Sequence, residues 1–383
     1  MRLYVAGGCS EHGRNCFLVQ GESISFMVDA GVMKEHPERK WPELTHEMVS
    51  GVKYLFFTHS HTDHTGALEW LYELGFRGEV VAAKATVDYV KHKIRNYRLL
   101  EELGNALTEI SLGDGLVFRW GRSGHCIGSV WYRFELDGRS ILFSGDYTEN
   151  SYAYHCDLIR NETADLAVLD CAYGTEKEDG RDHRRVIERD LDELAERHIP
   201  LLFPVPSHGR GLDVLSLLAE RGVKVVIGRL LTSEYESYEN RWFWLKEEFI
   251  QSTVKLRKMD FSEFEGRLEE TDRYPAEYAD AAVIVRDSQL YDQIDQNYAV
   301  RIYEAGGLTF LTGKQDPSSF SRKLLDEGKA VFDRISVHQN CGEMKKLALE
   351  NHFSLVIPYH CRQQLKFDED WIKVLSPAEA VEI

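Results

Sequence analysis

Seven consecutive residues, Thr58-His59-Ser60-His61-Thr62-Asp63-His64, hold three imidazoles and one carboxylate directly after the apolar run 52–57. A tight loop following a buried strand points neighbouring side chains in different directions. His59 and His61 can then hold one metal ion while Asp63 and His64 turn toward a second. Imidazole and carboxylate donors at this density suit Zn²⁺, and the same donor set also accepts Mn²⁺ or Fe.

Single histidines and aspartates elsewhere gain weight from their setting. Asp29 ends the apolar stretch 23–29 and precedes Ala30-Gly31. His125 lies in Ser123-Gly124-His125-Cys126-Ile127-Gly128-Ser129, where the glycines permit the close backbone approach a metal pocket needs. Asp146 follows Phe143-Ser144-Gly145, and His360 follows the apolar run 355–359. Apolar strands thus deliver Asp29, His59, Asp146 and His360 from their C-terminal ends, a repetition that turn preference alone does not explain. His92, His155, His183, His198 and His352 read as surface or packing residues. Cys126 and Cys361 each follow a candidate histidine and read as small buried hydrophobes.

The elements that must position these groups are legible as patterns. Strands are expected at 2–6, 15–20 and 23–29, a meander turning at Gly21-Glu22. A buried strand at 52–57 precedes a helix over 65–74, with Leu68, Leu71 and Leu74 at three-residue spacing. A strand at 79–83, a helix over 86–103 and strands at 116–120, 130–136, 140–143 and 166–170 complete this part, with a turn at Asp137-Gly138. After the charged stretch 176–185 the pattern alternates: helix 184–197, strand 201–205, helix 212–221, strand 223–227, helix 234–249, strands 281–285 and 308–312, helix 319–327. Alternation of this kind predicts a parallel sheet with helices on its faces, here a separate α/β domain over 181–328. The tail from 329 to 383 returns to strand, helix, strand (330–335, 342–350, 355–358), its two strands leading to His338 and His360.

Composition sets the class. The 383 residues carry 46 Lys and Arg against 63 Asp and Glu, a net charge of −17. Taken alone this disfavours a nucleic-acid partner. Two bound divalent ions would reverse the local sign, because such ions are often the largest charges in a site. Seven scattered cysteines without a Cys-x-x-Cys pair indicate reduced thiols and a cytoplasmic setting. The N-terminal residues lack signal-peptide anatomy, and no apolar run approaches membrane-spanning length.

The order Asp29, His59-x-His61-x-Asp63-His64, His125, Asp146 and a late histidine resembles the metallo-β-lactamase fold, whose residues of this kind hold two zinc ions in an αββα sandwich. Gly7-Gly8-Cys9-Ser10-Glu11-His12-Gly13-Arg14-Asn15 resembles the opening of its nucleic-acid-processing branch, the β-CASP group that includes ribonuclease J and the pre-mRNA 3′-end cleavage endonuclease. Members insert a Rossmann-like α/β cap, which 181–328 resembles. Leu169-Asp170-Cys171-Ala172-Tyr173-Gly174, Ile335-Ser336-Val337-His338-Gln339-Asn340 and Val356-Ile357-Pro358-Tyr359-His360 resemble the group's motifs A, B and C.

The resemblance implies a zinc-dependent phosphodiesterase, with single-stranded RNA as the partner because the third motif keeps its histidine. His59, His61 and His125 would hold one ion and Asp63, His64 and His360 the other, with Asp146 bridging. Asp63 could also take the proton of the attacking water. Asp170 would orient a ligand histidine, His338 would bind the scissile phosphate and protonate the leaving oxygen, and Asp29 would order the histidine loop. The segment Pro204-Val205-Pro206-Ser207-His208-Gly209-Arg210 departs from the group by placing His208 where an apolar or aromatic residue is usual, which makes His208 a candidate substrate contact. The stretches 281–290 and 307–318 also depart, and the chain is short for the group. The rival readings are a hydrolase of a small ester, thioester or nucleotide-like molecule, a DNA-processing member, and a non-catalytic subunit. Pseudoenzymes of that last kind lose metal ligands, whereas this chain keeps them. A homodimer stays open, and no membrane association is expected.

Overall fold

The structure, a computed structural model, describes residues 1–90, 93–206, 208–228 and 242–383. The chain divides into two compact units. One comprises Met1–Glu149, Cys156–Asp179 and Val337–Ile383, the other Asn150–His155 and Gly180–Ser336. In chain order the first unit forms β1 (Arg2–Gly7), β2 (Cys16–Gln20), β3 (Ser25–Val28), β4 (Val52–Phe56), β5 (Glu79–Ala82), β6 (Tyr97–Leu99), β7 (Ile110–Gly113), β8 (Leu116–Arg122), β9 (Val130–Leu136), β10 (Arg139–Phe143) and β11 (Thr163–Asp170). The second unit supplies β12 (Leu201–Pro204), β13 (Lys224–Ile227), β14 (Arg257–Met259), β15 (Ala281–Val285), β16 (Leu308–Leu311) and β17 (Ala330–Phe332). The chain then returns to the first unit with β18 (His352–Tyr359) and β19 (Ala380–Glu382).

The first unit stacks two sheets, ordered β19-β1-β2-β3-β4-β5-β6 and β18-β11-β10-β9-β8-β7. Its inner strands β2 and β3 are nearly continuous buried runs, as expected where both faces of a sheet are covered. Successive side chains point to opposite faces. Phe26 and Phe56 turn inward and meet Phe134 of the facing sheet at ring separations of 4.5 and 4.7 Å. Met27 and Leu55 turn outward and pack with Leu68 and Leu71 of the helix Leu68–Leu74. On the second sheet Leu142, Ala167 and Val356 pack with Met344 and Leu347 of the helix Cys341–Leu349. Asn340 starts that helix with a capping box closed by Glu343. The layers therefore run helix, sheet, sheet, helix, which is the expected αββα sandwich. Full burial of each such phenylalanine contributes about 1.5–3 kcal/mol.

The second unit is a six-stranded parallel sheet ordered β14-β13-β15-β12-β16-β17. Among its helices are Gly180–Glu196, Arg210–Glu220, Phe261–Glu270, Gln293–Glu304 and Phe320–Asp326. Strand β17 pairs with β16, Phe310 opposite Val331, so the return expected from 329 begins instead at Val337. Among the described residues no helix is long and apolar enough to cross a membrane.

Local expectations failed where tertiary pairing overrode them. The helix expected over 65–74 is two pieces, Thr62–Thr65 and Leu68–Leu74, parted at Gly66-Ala67. The helix expected over 86–103 is Lys84–Val90, then β6, then the short helix Leu100–Leu103. Pairing with β5 captured 97–99 as an edge strand. Of the helix expected over 234–249, residues 234–241 lie outside the described residues; Trp242–Trp244 is a 3₁₀ turn and Glu247–Val254 a helix. His92 also lies outside them.

Candidate metal centre

The histidine loop is zipped to two neighbouring segments. Asn15 N–H donates to Asp63 O at 2.9 Å and Ala30 N–H to His64 O at 2.7 Å. Gly31 allows this approach, since a Cβ there would lie 1.6 Å from the Asp63 carbonyl oxygen. Asp29 sits buried behind the loop. It accepts from Thr58 N–H at 2.8 Å, from Thr58 Oγ1 at 2.8 Å and from His64 Nδ1 at 2.7 Å. The last bond holds a proton on His64 Nδ1 and turns Nε2 toward the cluster. The Val337 carbonyl does the same for His125, whose Nδ1 lies 2.9 Å from it.

Asp146 is the centre of the arrangement. Its Oδ2 faces His59 Nε2 and His125 Nε2, each at 3.5 Å. Its Oδ1 faces His64 Nε2 at 3.3 Å and His360 Nδ1 at 3.2 Å, and accepts from Tyr359 OH at 3.1 Å. One carboxylate thus looks at two donor sets. His61 Nδ1 lies 3.2 Å from His125 Nε2 on the first side, and Asp63 Oδ2 lies 3.1 Å from His360 Nε2 on the second. Donor atoms of His59, His61, His125 and Asp146 all lie within 4.8 Å of one another, as do those of Asp146, Asp170, His338 and His360, and those of His12, Asp63 and His360.

The donors fit a divalent metal. His59 Nε2 is buried without a hydrogen-bond partner, an arrangement that costs about 1–3 kcal/mol unless a cation takes the lone pair. Burial pushes the His59, His61 and His125 imidazoles below their ordinary range, leaving three neutral nitrogen donors around Oδ2. The other side is charged. Burial opposes the cationic form of His64 and His360, but Asp146 and its neighbouring carboxylates outweigh it, raising His64 well above the usual range and His360 to about 10. Burial works against the Asp63 and Asp146 carboxylates too, yet the His64 and His360 cations pull both well below the usual range. Protons on His64 and His360 stand where a second cation would neutralise the same carboxylates.

Asp170 does not hold one of the expected ligand histidines. It is fully buried, accepts Tyr147 N–H and Ala172 N–H at 3.0 Å each, and pairs with His338 Nδ1 at 3.0 Å. His338 lies against His125 and His360, its ring centre 4.9 and 5.1 Å from theirs, with its side chain 14% exposed. His208 belongs to the second unit, ahead of the helix Arg210–Glu220, and is in none of the donor groups above. Sequence reasoning missed His12, whose ring stacks on His360 at 4.4 Å, and Asn15, whose Nδ2 lies 2.9 Å from His64 Nε2. Burial, helped by His360, pushes the His12 imidazole down to about 3. The signal was the glycine-rich stretch 7–15, which places polar side chains on a loop between two buried strands.

The profile of the metallo-beta-lactamase superfamily matches residues 10–223. Endoribonuclease YSH1 of Kluyveromyces lactis is 23% identical over 254 residues, covering 57% of this chain and 33% of that protein. The Schizosaccharomyces pombe protein of the same name is 26% identical over 246 residues, covering 56% and 31%. The aligned region spans about a third of the length of these curated relatives. A crystal structure of a protein of unknown function from Enterococcus faecalis V583 superposes with a TM-score of 0.63 at 12% identity, covering 99% of both chains, and so shares the fold. With its αββα sandwich, its histidine and aspartate donors and a family match over more than half its length, the chain belongs to the metallo-beta-lactamase superfamily.

Proposed function

We propose that the protein is a two-zinc phosphodiesterase that hydrolyses single-stranded RNA. One observation carries the reading: the two oxygens of Asp146 face separate donor sets, His59 and His125 on one side, His64 and His360 on the other. His61 completes the first set and Asp63 the second. A pair of divalent ions held there would supply a hydroxide at neutral pH and neutralise phosphate oxygens.

The chain's own groups do the remaining work. Asp63 is the carboxylate exposed enough to receive a proton from an attacking water, its side chain 26% exposed against 2% for Asp146. With His338 Nδ1 held by Asp170, Nε2 is the nitrogen left to meet a phosphate oxygen and protonate the leaving oxygen. Asp29 and the Val337 carbonyl fix the tautomers of His64 and His125. Similarity to endoribonucleases favours RNA as the substrate class.

The test is incubation of the zinc-loaded protein with end-labelled single-stranded RNA and DNA, with and without chelator. Chelator-sensitive RNA products are expected. RNA left intact while DNA or a small ester is hydrolysed would reject the ribonuclease reading and leave the hydrolase standing.

A further inference from the structure

His12 is held where it can act on the second donor set. Its ring lies over that of His360, with centres 4.4 Å apart and planes 15° from parallel. The loop carrying it is stiff. Glu11 accepts from Gly8 N–H at 3.2 Å and from Arg14 Nε at 2.7 Å, and this ion pair is almost wholly buried. Arg14 also reaches Trp41 O and Glu43 Oε1, at 2.7 and 2.9 Å. The same loop grips the backbone on both sides of the second set: His360 N–H donates to Gly8 O at 2.6 Å, and Asn15 N–H to Asp63 O at 2.9 Å.

His360 needs such support. It stands past the end of β18 with φ +68°, a left-handed conformation uncommon for a residue with a Cβ. Regular strand geometry therefore does not aim its ring. Imidazole lone pairs lie in the ring plane, and with the rings stacked at 4.4 Å and 15° from parallel it is the face of His12, not a lone pair, that meets His360. His12 consequently acts through His360.

We propose that His12 is a positioning residue: its ring, stacked on His360, fixes the plane of that ligand and thereby sets the affinity of the second metal position, beside Asp63. The inference rests on the two-metal reading above.

The experiment is a titration of the metal-free full chain with Co²⁺, followed by visible absorption and calorimetry, for wild type, His12→Ala and His12→Phe. Loss of a group that orients a metal ligand typically costs ~10–100-fold in affinity. His12→Ala is expected to bind the first equivalent as wild type does and the second ~10–100-fold more weakly. His12→Phe, which keeps a flat ring but no nitrogen, is expected to restore the second site and its absorption bands. Two wild-type equivalents with an unchanged second site in His12→Ala would overturn this inference alone. So would His12→Phe binding as weakly as His12→Ala, because the nitrogen would then be the working part. A single equivalent in wild type would overturn the two-metal reading and this inference with it.

Discussion

Asp170 and His338 are 168 residues apart in the chain and 3.0 Å apart in space, the Asp170 carboxylate on His338 Nδ1. Asp170 ends β11, and His338 comes just after the chain re-enters the first unit at Val337. The whole of Gly180–Ser336 is threaded between them. The bond links the end of β11, ahead of that segment, to the first residues after it, and it occupies Nδ1 of His338.

His338→Ala should keep the fold and both metals while losing ~10²–10⁴-fold in RNA cleavage, the usual cost of removing a general acid. Asp170→Asn, which weakens control of the His338 tautomer, should also lower turnover with metal content unchanged. Metal analysis and single-turnover cleavage of both variants check this. Cleavage by His338→Ala at the wild-type rate would remove the acid role.

Asp146, whose two oxygens face separate donor sets, predicts a split in metal stoichiometry. His360→Ala should leave the first position filled and empty the second, bringing content from two toward one equivalent. Asp146→Ala removes the oxygen facing each set, so occupancy of both should fall. Elemental analysis after dialysis against metal-free buffer reads the difference, and equal losses in the two variants would count against a shared carboxylate.

Metal uptake should rise with pH. In the metal-free protein His360 is raised to about 10, so at neutral pH an incoming ion must displace its proton. Affinity for the second ion should therefore grow ~10-fold per pH unit between pH 6.5 and 9 for each proton released. The matching effect on the metal-free fold has the opposite sense. A histidine raised above its unfolded value stabilises fully below about 6.5, and that contribution is lost as pH climbs through about 10. Chelated protein should lose melting temperature over this window while metal-loaded protein does not. A second-site affinity independent of pH would contradict the assignment of the proton to His360.

Gly31→Ala should be damaging far out of proportion to its size. The added Cβ would lie 1.6 Å from the Asp63 carbonyl oxygen, so the histidine loop must move off its seat. Overpacking of this kind costs about 1–3 kcal/mol. Because the displaced backbone carries Asp63 and His64, metal binding should drop with stability. Thermal melting together with zinc content measures both, and a variant with wild-type zinc content would show that the loop can relax.

The sequence by itself determined the chemistry and the strand ends that deliver it. Three histidines and an aspartate in one loop, and apolar runs ending at Asp29, Asp146 and His360, are local facts, because metal-ligand type and two-residue strand periodicity are written over a few neighbouring positions. The alternation after residue 180 marked the second unit for the same reason. Only the tertiary structure decided relations between distant segments. It assigned 330–332 to the second unit by pairing them with β16, turned 97–99 from helix to edge strand by pairing them with β5, and gave Asp170 to His338. It also brought the loop of His12 onto His360, 348 positions later. Such contacts depend on how the chain closes on itself, and the residues that make them carry no local pattern to announce it.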